Sequence, residues 1–411
     1  HQLPEVATLF FGDTVSTAQI LDLARDARSE GLTNARDCLD LQSGSKALEK
    51  VAKDLRLAVG IDAGRFSCGQ LLEKAEFAPA LKVLEEEVTR FAAILETQAE
   101  RTEGLEKCWQ RALELVQRLG HWQKVADDGY VRWAEAFTQS LQLNLTPLDV
   151  AEIFKEQMGG HPRAWIFTSA TLAVQGKFNH YCAELGLGEP ESACWESPFD
   201  YGKQAVLYAP LGMPEPNSYG YTDAVVDAAW PAVVAANGGA FFLCTSLRAM
   251  RRTHELLKAR LEDEGLDMPL LVQGEGSKND LLQRFRHHGA SILVGSQSFW
   301  EGVDVRGEAL SLVVIDKIPF APPDDPVLAA RIEHMKKEGR NAFMEYQLPR
   351  AVINVKQGAG RLIRDETDRG VLMICDPRLL SKPYGRRVWQ SLPPMKRTKE
   401  LQDVLNFFAS R

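Results

Sequence analysis

After residue 202 the sequence repeatedly alternates a short, continuous apolar run with an amphipathic helical pattern, and this alternation restricts the possible folds more than any other feature. The runs are QAVLYAPL, GAFFLCTS, MPLLVQG, SILVGSQSF, LSLVVIDKIPF and GVLMICDP. Such uninterrupted Val, Ile, Leu and Phe runs are typical of parallel strands that helices cover on both faces. We therefore predict that residues 203–411 form an open α/β sheet domain.

Small polar side chains follow several of these runs. In open α/β sheets, ligands bind at the carboxyl ends of the strands. The residues at the predicted strand ends are Thr168, Ser169, Thr171, Thr245, Ser246, Ser296, Ser298 and Asp304. Each of them is an ordinary turn residue when taken alone, but the series predicts a binding edge.

Residues 14–158 follow a different pattern, since no proline occurs between Pro79 and Pro147 and apolar residues recur at helical spacing. The two clearest stripes are Leu81, Leu84, Val88, Phe91 and Leu95, and then Leu105, Trp109, Ala112, Val116 and Leu119. We predict helices throughout this region, with the stripes in the core. The apolar run RAWIFTSATL then opens a connecting segment.

Near the end of the chain, Arg361 and Arg364 lie three residues apart in QGAGRLIRDETDRG. On a helix this spacing puts two side chains on one face, and paired guanidinium groups suit phosphate oxygens. Taken alone, however, the pair is more simply explained as two arginines on a solvated helix face.

Composition argues against several classes of protein. The 411 residues carry a net charge of −8, which does not suit a simple basic nucleic-acid-coating protein but allows a local basic channel. The seven cysteines show no Cys-x-x-Cys spacing, which indicates reduced thiols in a cytoplasmic protein, and no metal site is predicted. No apolar run is long enough for a transmembrane helix.

Four segments, in this order, resemble motifs III to VI of superfamily 2 helicases: TSATL, FLCTSLRAM, SFWEGVDV and QGAGRLIR. More narrowly, the sequence is similar to the XPD-like iron–sulfur DNA helicases, in the DinG/YoaA branch, and the YoaA group fits best. The opening HQLPE resembles the end of a DEAH box, with His1 as its last letter. No G-x-x-x-x-G-K-[ST] phosphate loop occurs in the sequence.

The resemblance implies a C-terminal fragment. Residues 1–13 would end the Walker B segment of motor domain 1, and residues 14–158 would form an all-helical, arch-like domain. Residues 159–202 would contain the motif III strand and the crossover from motor domain 1. Residues 203–411 would be a RecA-like motor domain 2 with a partner-binding tail. The family's 4Fe-4S cluster is expected in the full protein, with ligands outside this chain.

The resemblance also implies an ATP site, with Mg²⁺, that is shared with motor domain 1. Arg364 would be the arginine finger, Arg361 a second γ-phosphate contact, and Gln357 a neighbour of the attacking water. Further ATP-site residues would be Gly360, Asp304, Glu301, Gly302 and His1.

Single-stranded or forked DNA is the implied substrate. The residues expected to contact it, or to couple it to ATP, are Thr245, Ser246, Ser298, Ser169 and Thr171. Thr245 and Ser246 would use hydroxyl and backbone N–H groups, which position a strand without reading its sequence. Phe299, Trp300 and Phe320 are candidates for base stacking, or equally for the core.

Residues 377–399 hold seven cations and no acid, and an amphipathic helical pattern follows them. In YoaA-like proteins such a tail would contact the chi subunit of DNA polymerase III. The candidate residues here are Arg397, Thr398, Leu401 and Phe408. The alternative, that the tail packs on its own domain, remains open.

The expected function is that of the C-terminal portion of an ATP-dependent DNA helicase, of 5′ to 3′ polarity, acting in repair at replication forks. One alternative is a non-catalytic module that binds DNA or a replisome partner, because the phosphate loop is absent. Another is a different α/β enzyme, which would need a phosphate loop or dinucleotide turn that the sequence does not show.

Overall fold

A computed structural model describes residues 2–124, 129–160, 163–296, 299 and 309–410. The chain divides into two compact units, each with its own core. Unit 1 comprises residues 1–165, 181–189 and 322–342, and unit 2 comprises residues 166–180, 190–321 and 343–411. Within the described ranges, no helix is both long and apolar enough to cross a membrane.

The first part of the chain is mainly helical, with four short strands. Its elements are α1 Leu3–Phe10, β1 Asp13–Ser16, α2 Thr17–Asn34, α3 Leu39–Ala58, β2 Gly64–Ser67, α4 Cys68–Leu72, α5 Phe77–Glu96, α6 Glu103–Lys124, β3 Tyr130–Ala136, β4 Leu141–Pro147, α7 Ala151–Gly159 and α8 Asn179–Leu185. The strands form an antiparallel sheet in the order β1-β4-β3-β2.

The second part alternates strands with helices. Its elements are α9 Tyr201–Gln204, β5 Ala205–Tyr208, α10 Tyr221–Ala235, β6 Ala240–Leu243, α11 Leu247–Glu264, β7 Leu270–Val272, α12 Lys278–His288, β8 Ile292–Gly295, β9 Leu312–Ile315, α13 Pro326–Lys337, α14 Leu348–Ala359, β10 Gly370–Ile374, α15 Arg378–Ser381, α16 Gly385–Ser391, β11 Lys396–Thr398 and α17 Leu401–Ala409.

The seven strands β5 to β11 form one sheet in the order β11-β5-β10-β9-β6-β8-β7, and every neighbouring pair is parallel. Successive residues of β6 show why its sequence lacks polar alternation. Phe241 and Leu243 belong to the core on one face of the sheet, and Ala240 and Phe242 belong to the core on the other. The predicted parallel α/β domain is therefore confirmed.

The helical stripes of unit 1 lie in its core. The members of the α5 stripe and Leu105, Ala112 and Leu119 of α6 are buried there. The start of α2 is fixed by a capping box, in which the Ser16 side chain accepts a hydrogen bond from the backbone of Gln19 and the Gln19 side chain accepts one in return.

The prediction that residues 14–158 are helical throughout was wrong, because this region also contains the antiparallel sheet. In Tyr130–Ala136, Val131 and Trp133 are buried in one small cluster and Ala134 and Ala136 in the main core of unit 1, while Leu141–Pro147 buries Leu141, Leu143 and Leu145 in that main core. β1 and β2 have only four residues each, which is too short for a pattern of period two to stand out from the helices around them.

Helix α13 belongs to unit 1, although its neighbours along the chain lie in unit 2. Val327 and Ala330 pack against a small cluster that includes Trp133 of β3. Arg65 of β2 forms an ion pair with the residue before this helix, since its guanidinium lies 2.7 Å from the Asp325 carboxylate. The same guanidinium stacks over Trp133, with 5.1 Å between its carbon and the ring centroid. Unit 1 is therefore completed by a segment that comes late in the sequence.

The prediction of a motif III strand in RAWIFTSATL was also wrong. Residues 163–169 have no regular secondary structure, and Ile166 is exposed. A β-strand needs a neighbour to satisfy its backbone hydrogen bonds, and none of the strands in the described ranges pairs with this segment.

Candidate functional site

At the carboxyl edge of the parallel sheet, the carboxylate of Asp316 organises the turn that follows β6. Asp316 comes directly after β9, and its carboxylate oxygens accept hydrogen bonds from the Thr245 backbone N–H at 3.1 Å and from the Thr245 hydroxyl at 3.1 Å. The backbone N–H of Lys317 adds a third donor at 2.7 Å. Burial raises the pKa of Asp316 to about 6, against the opposing effect of these donors.

These contacts change the predicted role of Thr245. Both of its hydrogen-bond donors, the hydroxyl and the backbone N–H, are directed to Asp316, so neither serves a DNA phosphate in this arrangement. Ser246 differs, because it is exposed and its oxygen accepts the capping bond from Ala249 at the start of α11. Its hydroxyl hydrogen remains available to a ligand.

Asp376 follows β10 at the same edge and fixes the turn after β9. Its carboxylate accepts from the backbone N–H of Ile318 at 2.8 Å and pairs with both Nε and Nη2 of Arg378. Further along the edge, the backbone N–H and hydroxyl of Ser296 donate to the Gln273 side chain. Polar groups thus close the carboxyl ends of β7, β8, β6, β9 and β10.

The arginine pair lies at the opposite, amino edge of the sheet. Arg361 and Arg364 are half-buried in the turn that connects the end of α14 to the start of β10. They therefore do not share a helix face, as their spacing predicted. They also do not lie beside Thr245 and Ser246 at the carboxyl ends of the strands, where the strand-end rule placed the binding edge. The reason is that α14 crosses back over the sheet, so it ends at the edge from which the next parallel strand starts.

Two buried polar residues hold this arginine turn, which we define as residues 360–369. The Asp368 carboxylate accepts from the backbone N–H groups of Arg364 at 2.8 Å and Asp365 at 2.9 Å. The Gln204 side-chain nitrogen lies 2.9 to 3.1 Å from the carbonyl oxygens of residues 365, 366 and 368. The backbone that carries Arg364 is fixed from both sides.

Neither Asp368 nor Gln204 was found by sequence analysis. Asp368 has a recognisable signal, because an acid four residues after an arginine in a turn can cap its backbone. Gln204 has none, since only the tertiary fold brings the start of β5 next to this turn. Asp316 and Asp376 had the clearest signal of all, because each directly follows an apolar run.

Gln357 is buried in α14, and Gly360 is exposed at the end of that helix. Lys356 of the same helix donates from Nζ to the carbonyl oxygen of Ala173 at 2.8 Å, and burial lowers its pKa. This bond joins α14 to the segment that contains Ser169 and Thr171. The Ser169 oxygen in turn accepts from the backbone N–H of Thr171, so the two residues form a local turn.

Several predicted residues lie outside the described part of the chain. They are His1, Ser298, Trp300, Glu301, Gly302 and Asp304. Of the two other aromatic candidates, Phe299 is buried in the core. Phe320 packs in an aromatic cluster with Phe343 and Tyr384.

The C-terminal tail packs on its own unit. β11 pairs with β5 as an edge strand, and Thr398 and Phe408 are buried, while Leu401 packs against the core on the same face. Arg397 is exposed and stacks over Trp389 at 5.2 Å. Thr398 and Phe408 are therefore inaccessible to a partner while the tail is packed, and Arg397 is accessible.

Paired arginines suit a triphosphate, but the described residues offer no metal site. Across the ranges that the structure describes, no group of three or more His, Cys, Asp or Glu side chains could hold an ion. The seven cysteines all carry free thiols. These residues do not fit an iron–sulfur cluster or a protein-bound Mg²⁺ by themselves.

Comparison with known proteins gives consistent results. Residues 230–395 match the family described as helicase C-terminal domain. The chain is 41% identical over 409 residues to the Escherichia coli protein named ATP-dependent DNA helicase YoaA, and 38% identical over 412 residues to the Haemophilus influenzae protein of that name. All of this chain is matched, and it spans 64% of the length of each relative.

Solved structures show the same fold. An XPD helicase superimposes with a TM-score of 0.59 at 15% identity, over 97% of this chain and 67% of that one. Xpd4 of S. tokodaii gives 0.58 at 14% identity, over 97% and 74%. At such low identity the likeness concerns the fold alone.

Proposed function

We propose that this chain belongs with the XPD/DinG-like superfamily 2 helicases and is the C-terminal portion of an ATP-dependent DNA helicase, and the match to the helicase C-terminal domain and to the YoaA relatives supports this. The observation that carries the proposal is the arginine turn. It presents Arg361 and Arg364 on a backbone that Asp368 and Gln204 hold in place. Preorganised cations of this kind stabilise the charge that develops on a transferred phosphoryl group.

In this proposal Arg364 is the arginine finger and Arg361 a second contact of the γ-phosphate. The phosphate loop would come from the part of the relatives that this chain does not match. Mg²⁺ would neutralise phosphate charge when bound there. Gln357 lies on the helix that leads into the arginine turn, and Lys356 links that helix to the segment of Ser169 and Thr171. This link supports their assignment to coupling between ATP and DNA.

The test is ATP hydrolysis. We expect negligible hydrolysis by the 411-residue chain alone, and restoration when the preceding motor domain is fused to it. In the fused protein, Arg364→Ala should lower the rate by about 10³- to 10⁵-fold. Arg364→Lys should remain strongly impaired, because lysine keeps the charge but loses the planar fork.

Arg369→Ala is the matched control, since Arg369 lies in the same turn but binds Ser410 and stacks over Phe407. Its hydrolysis rate should stay near that of the parent. Hydrolysis by the isolated chain, or an Arg364→Ala variant of full activity, would contradict the proposal.

For the whole protein we propose 5′ to 3′ translocation, a 4Fe-4S cluster held upstream, and a cytoplasmic role in repair at replication forks. The support is the similarity to the YoaA and DinG relatives. Displacement assays on forks with a single 5′ or 3′ tail check the polarity, and unwinding from the 3′ tail alone would contradict it.

We further propose that the exposed face of the tail contacts the chi subunit of DNA polymerase III. Because Thr398 and Phe408 are buried, the contact would use Arg397 and its neighbour Lys399. Arg397→Ala with Lys399→Ala should weaken chi binding at least tenfold in a pull-down titration. The control pair Arg386→Ala with Arg387→Ala removes two exposed cations of α16. Equal binding by both variants would exclude this surface.

The second candidate function takes account of the sequence of these 411 residues, in which no G-x-x-x-x-G-K-[ST] phosphate loop occurs. The chain would then bind DNA or a replisome partner without hydrolysing ATP. Failure of the fused protein to hydrolyse ATP, together with tight DNA binding by the chain, would favour this alternative.

A further inference from the structure

The side chain of Gln204 joins the segment that enters unit 2 to the arginine turn. The chain leaves unit 1 after Glu189, and residues 190–204 lead into β5. Gln204 is the last residue of α9 and directly precedes this strand, and it is only 7% exposed. A buried amide therefore lies where the entering segment joins the parallel sheet.

The register of the sheet explains why Gln204 meets the arginine turn. β5 and β10 are parallel neighbours, with Ala205 opposite Gly370. The residue before β5 therefore lies beside the residues before β10, which are those of the arginine turn. The backbone N–H of Gln204 donates to the carbonyl oxygen of Asp200 at 2.9 Å, and Tyr201 of the same helix is buried in the core. The position of Gln204 is thus fixed by its own element.

The side-chain nitrogen of Gln204 faces three backbone carbonyl groups of the turn. It lies 2.9 Å from the oxygen of Asp365, 3.1 Å from that of Glu366 and 3.0 Å from that of Asp368. An amide nitrogen carries two hydrogens, so the three acceptors share two donors. An ionised carboxylate of the same size has no hydrogen to donate and would bring negative charge to three carbonyl oxygens.

Gln204 and Asp368 hold the turn in different ways. Asp368 belongs to the turn and accepts from the backbone N–H groups of Arg364 and Asp365, so it fixes the shape of the turn but moves with it. Gln204 belongs to another element and donates to the carbonyl groups of the turn, so it fixes where the turn lies on the sheet. The place of the Arg364 side chain depends on both.

From these contacts we propose that Gln204 is a positioning residue for phosphoryl transfer, which sets the place of the arginine turn and through it the guanidinium of Arg364. Gln204 acts through backbone carbonyl groups and not on the phosphate. A misplacement of about 1 Å that arises far from the reacting atoms can cost about 100-fold in rate. This inference rests on the proposed function, in which Arg364 stabilises the transferred phosphoryl group.

The experiment measures steady-state ATP hydrolysis by the protein fused to the preceding motor domain. Gln204→Glu keeps the length of the side chain and removes its donors, and Gln204→Met removes the donors without adding charge. The kcat should fall by about 10- to 100-fold in Gln204→Glu and by less in Gln204→Met. The KM for ATP should change less than about threefold, because an arginine finger acts mainly in the transition state.

Gln390→Glu is the matched control, since it makes the same change of amide to carboxylate elsewhere in unit 2. Gln390 is exposed, and its side-chain oxygen accepts from the Gln175 side chain at 2.8 Å, a role that a carboxylate also fills. The kcat of this variant should stay within about twofold of the parent, as for surface changes that leave a bond intact.

The combination of Gln204→Glu with Arg364→Ala separates positioning from general damage to the fold. Where no guanidinium remains to be placed, Gln204→Glu should lower the kcat by less than about twofold further. Hydrogen exchange gives a readout that needs no catalysis. In the 411-residue chain, Gln204→Met should speed the exchange of the amides of residues 361–369 by at least about fivefold and leave those of β6 unchanged.

The outcomes distinguish this inference from the proposed function. If Arg364→Ala hydrolyses ATP like the parent, the proposed function fails whatever the Gln204 variants do. If Arg364→Ala is impaired and both Gln204 variants match Gln390→Glu, the positioning role fails and the motor proposal stands. An equal loss of kcat from Gln204→Glu with and without Arg364 would also overturn the positioning role, because a residue that only stabilises the fold lowers activity in either background.

Discussion

The two edges of the parallel sheet differ in how they present charged groups. At the carboxyl edge, Asp316 and Asp376 draw the turns of neighbouring strands together, and the exposed cations belong to α11. At the amino edge, the half-buried cations Arg361 and Arg364 lie in a turn that is capped by its own Asp368. A strand of four residues separates the edges by roughly 13 Å.

This difference indicates a division of labour. The carboxyl edge carries the exposed hydroxyl of Ser246, a predicted DNA contact, and the amino edge has a fixed arginine pair suited to a single phosphoryl group. Substitutions that disturb one edge should therefore be separable from those that disturb the other.

The largest effect is expected for Asp368→Ala. It removes the acceptor of two part-buried backbone N–H groups in the arginine turn, and each such donor left unpaired costs about 1 to 2 kcal/mol, the lower part of the range for buried donors. Urea denaturation should show a loss of about 2 to 4 kcal/mol. ATP hydrolysis by the fused protein should fall at least tenfold, and affinity for the single-stranded oligonucleotide dT15 should change less than twofold.

Asp368→Asn keeps one acceptor oxygen and should lose less stability than the alanine variant. An equal loss of DNA affinity and of hydrolysis in Asp368→Ala would show that the two edges are not separable.

A smaller effect is expected from pH at the carboxyl edge. The folded-state pKa of Asp316, about 6, lies above its unfolded value of 3.8, so the folded state binds this proton more tightly. Stability from this group therefore rises as pH falls below about 7 and is fully present below 3.8.

Between pH 7.5 and 5 the gain is on the order of 1 kcal/mol relative to Asp316→Asn, which lacks the titration. Unfolding free energies of both proteins, measured at matched salt, give this difference directly. If the unfolding free energies of the parent and of Asp316→Asn changed with pH in the same way, the Asp316 carboxylate would be better solvated than its burial implies.

The smallest effect is expected for Thr245→Val. The substitution keeps the shape and removes one hydroxyl bond to Asp316, which should cost about 0.5 to 1.5 kcal/mol of stability. Because that hydroxyl already donates to Asp316, dT15 affinity should stay within twofold of the parent. Ser246→Ala serves as the comparison. A larger loss of DNA affinity in Thr245→Val than in Ser246→Ala would restore Thr245 as a direct contact.

The sequence predicted the parallel sheet well, because each buried strand is a run without polar alternation, as in Phe241 and Phe242. It failed for RAWIFTSATL, since an apolar run specifies a strand only where a neighbour pairs with it. Leu141–Pro147 did carry an alternating pattern, LQLNLTP, and the helical composition around this strand concealed it.

The sequence predicted candidate residues for the site and not their geometry. Arg361 and Arg364 remain predicted site residues, and the edge of the sheet at which they lie depends on the direction in which α14 crosses. Gln204 could not be found, because its partners lie more than 160 residues away along the chain.

The late position of α13 has a consequence for biogenesis. The ribosome delivers the chain from its amino end, and early domains usually fold before later ones appear. Here the partner of Arg65, Asp325, emerges only after most of the parallel sheet has been synthesised. Until α13 has been made, Trp133 and its apolar neighbours in unit 1 therefore lack the helix that packs against them.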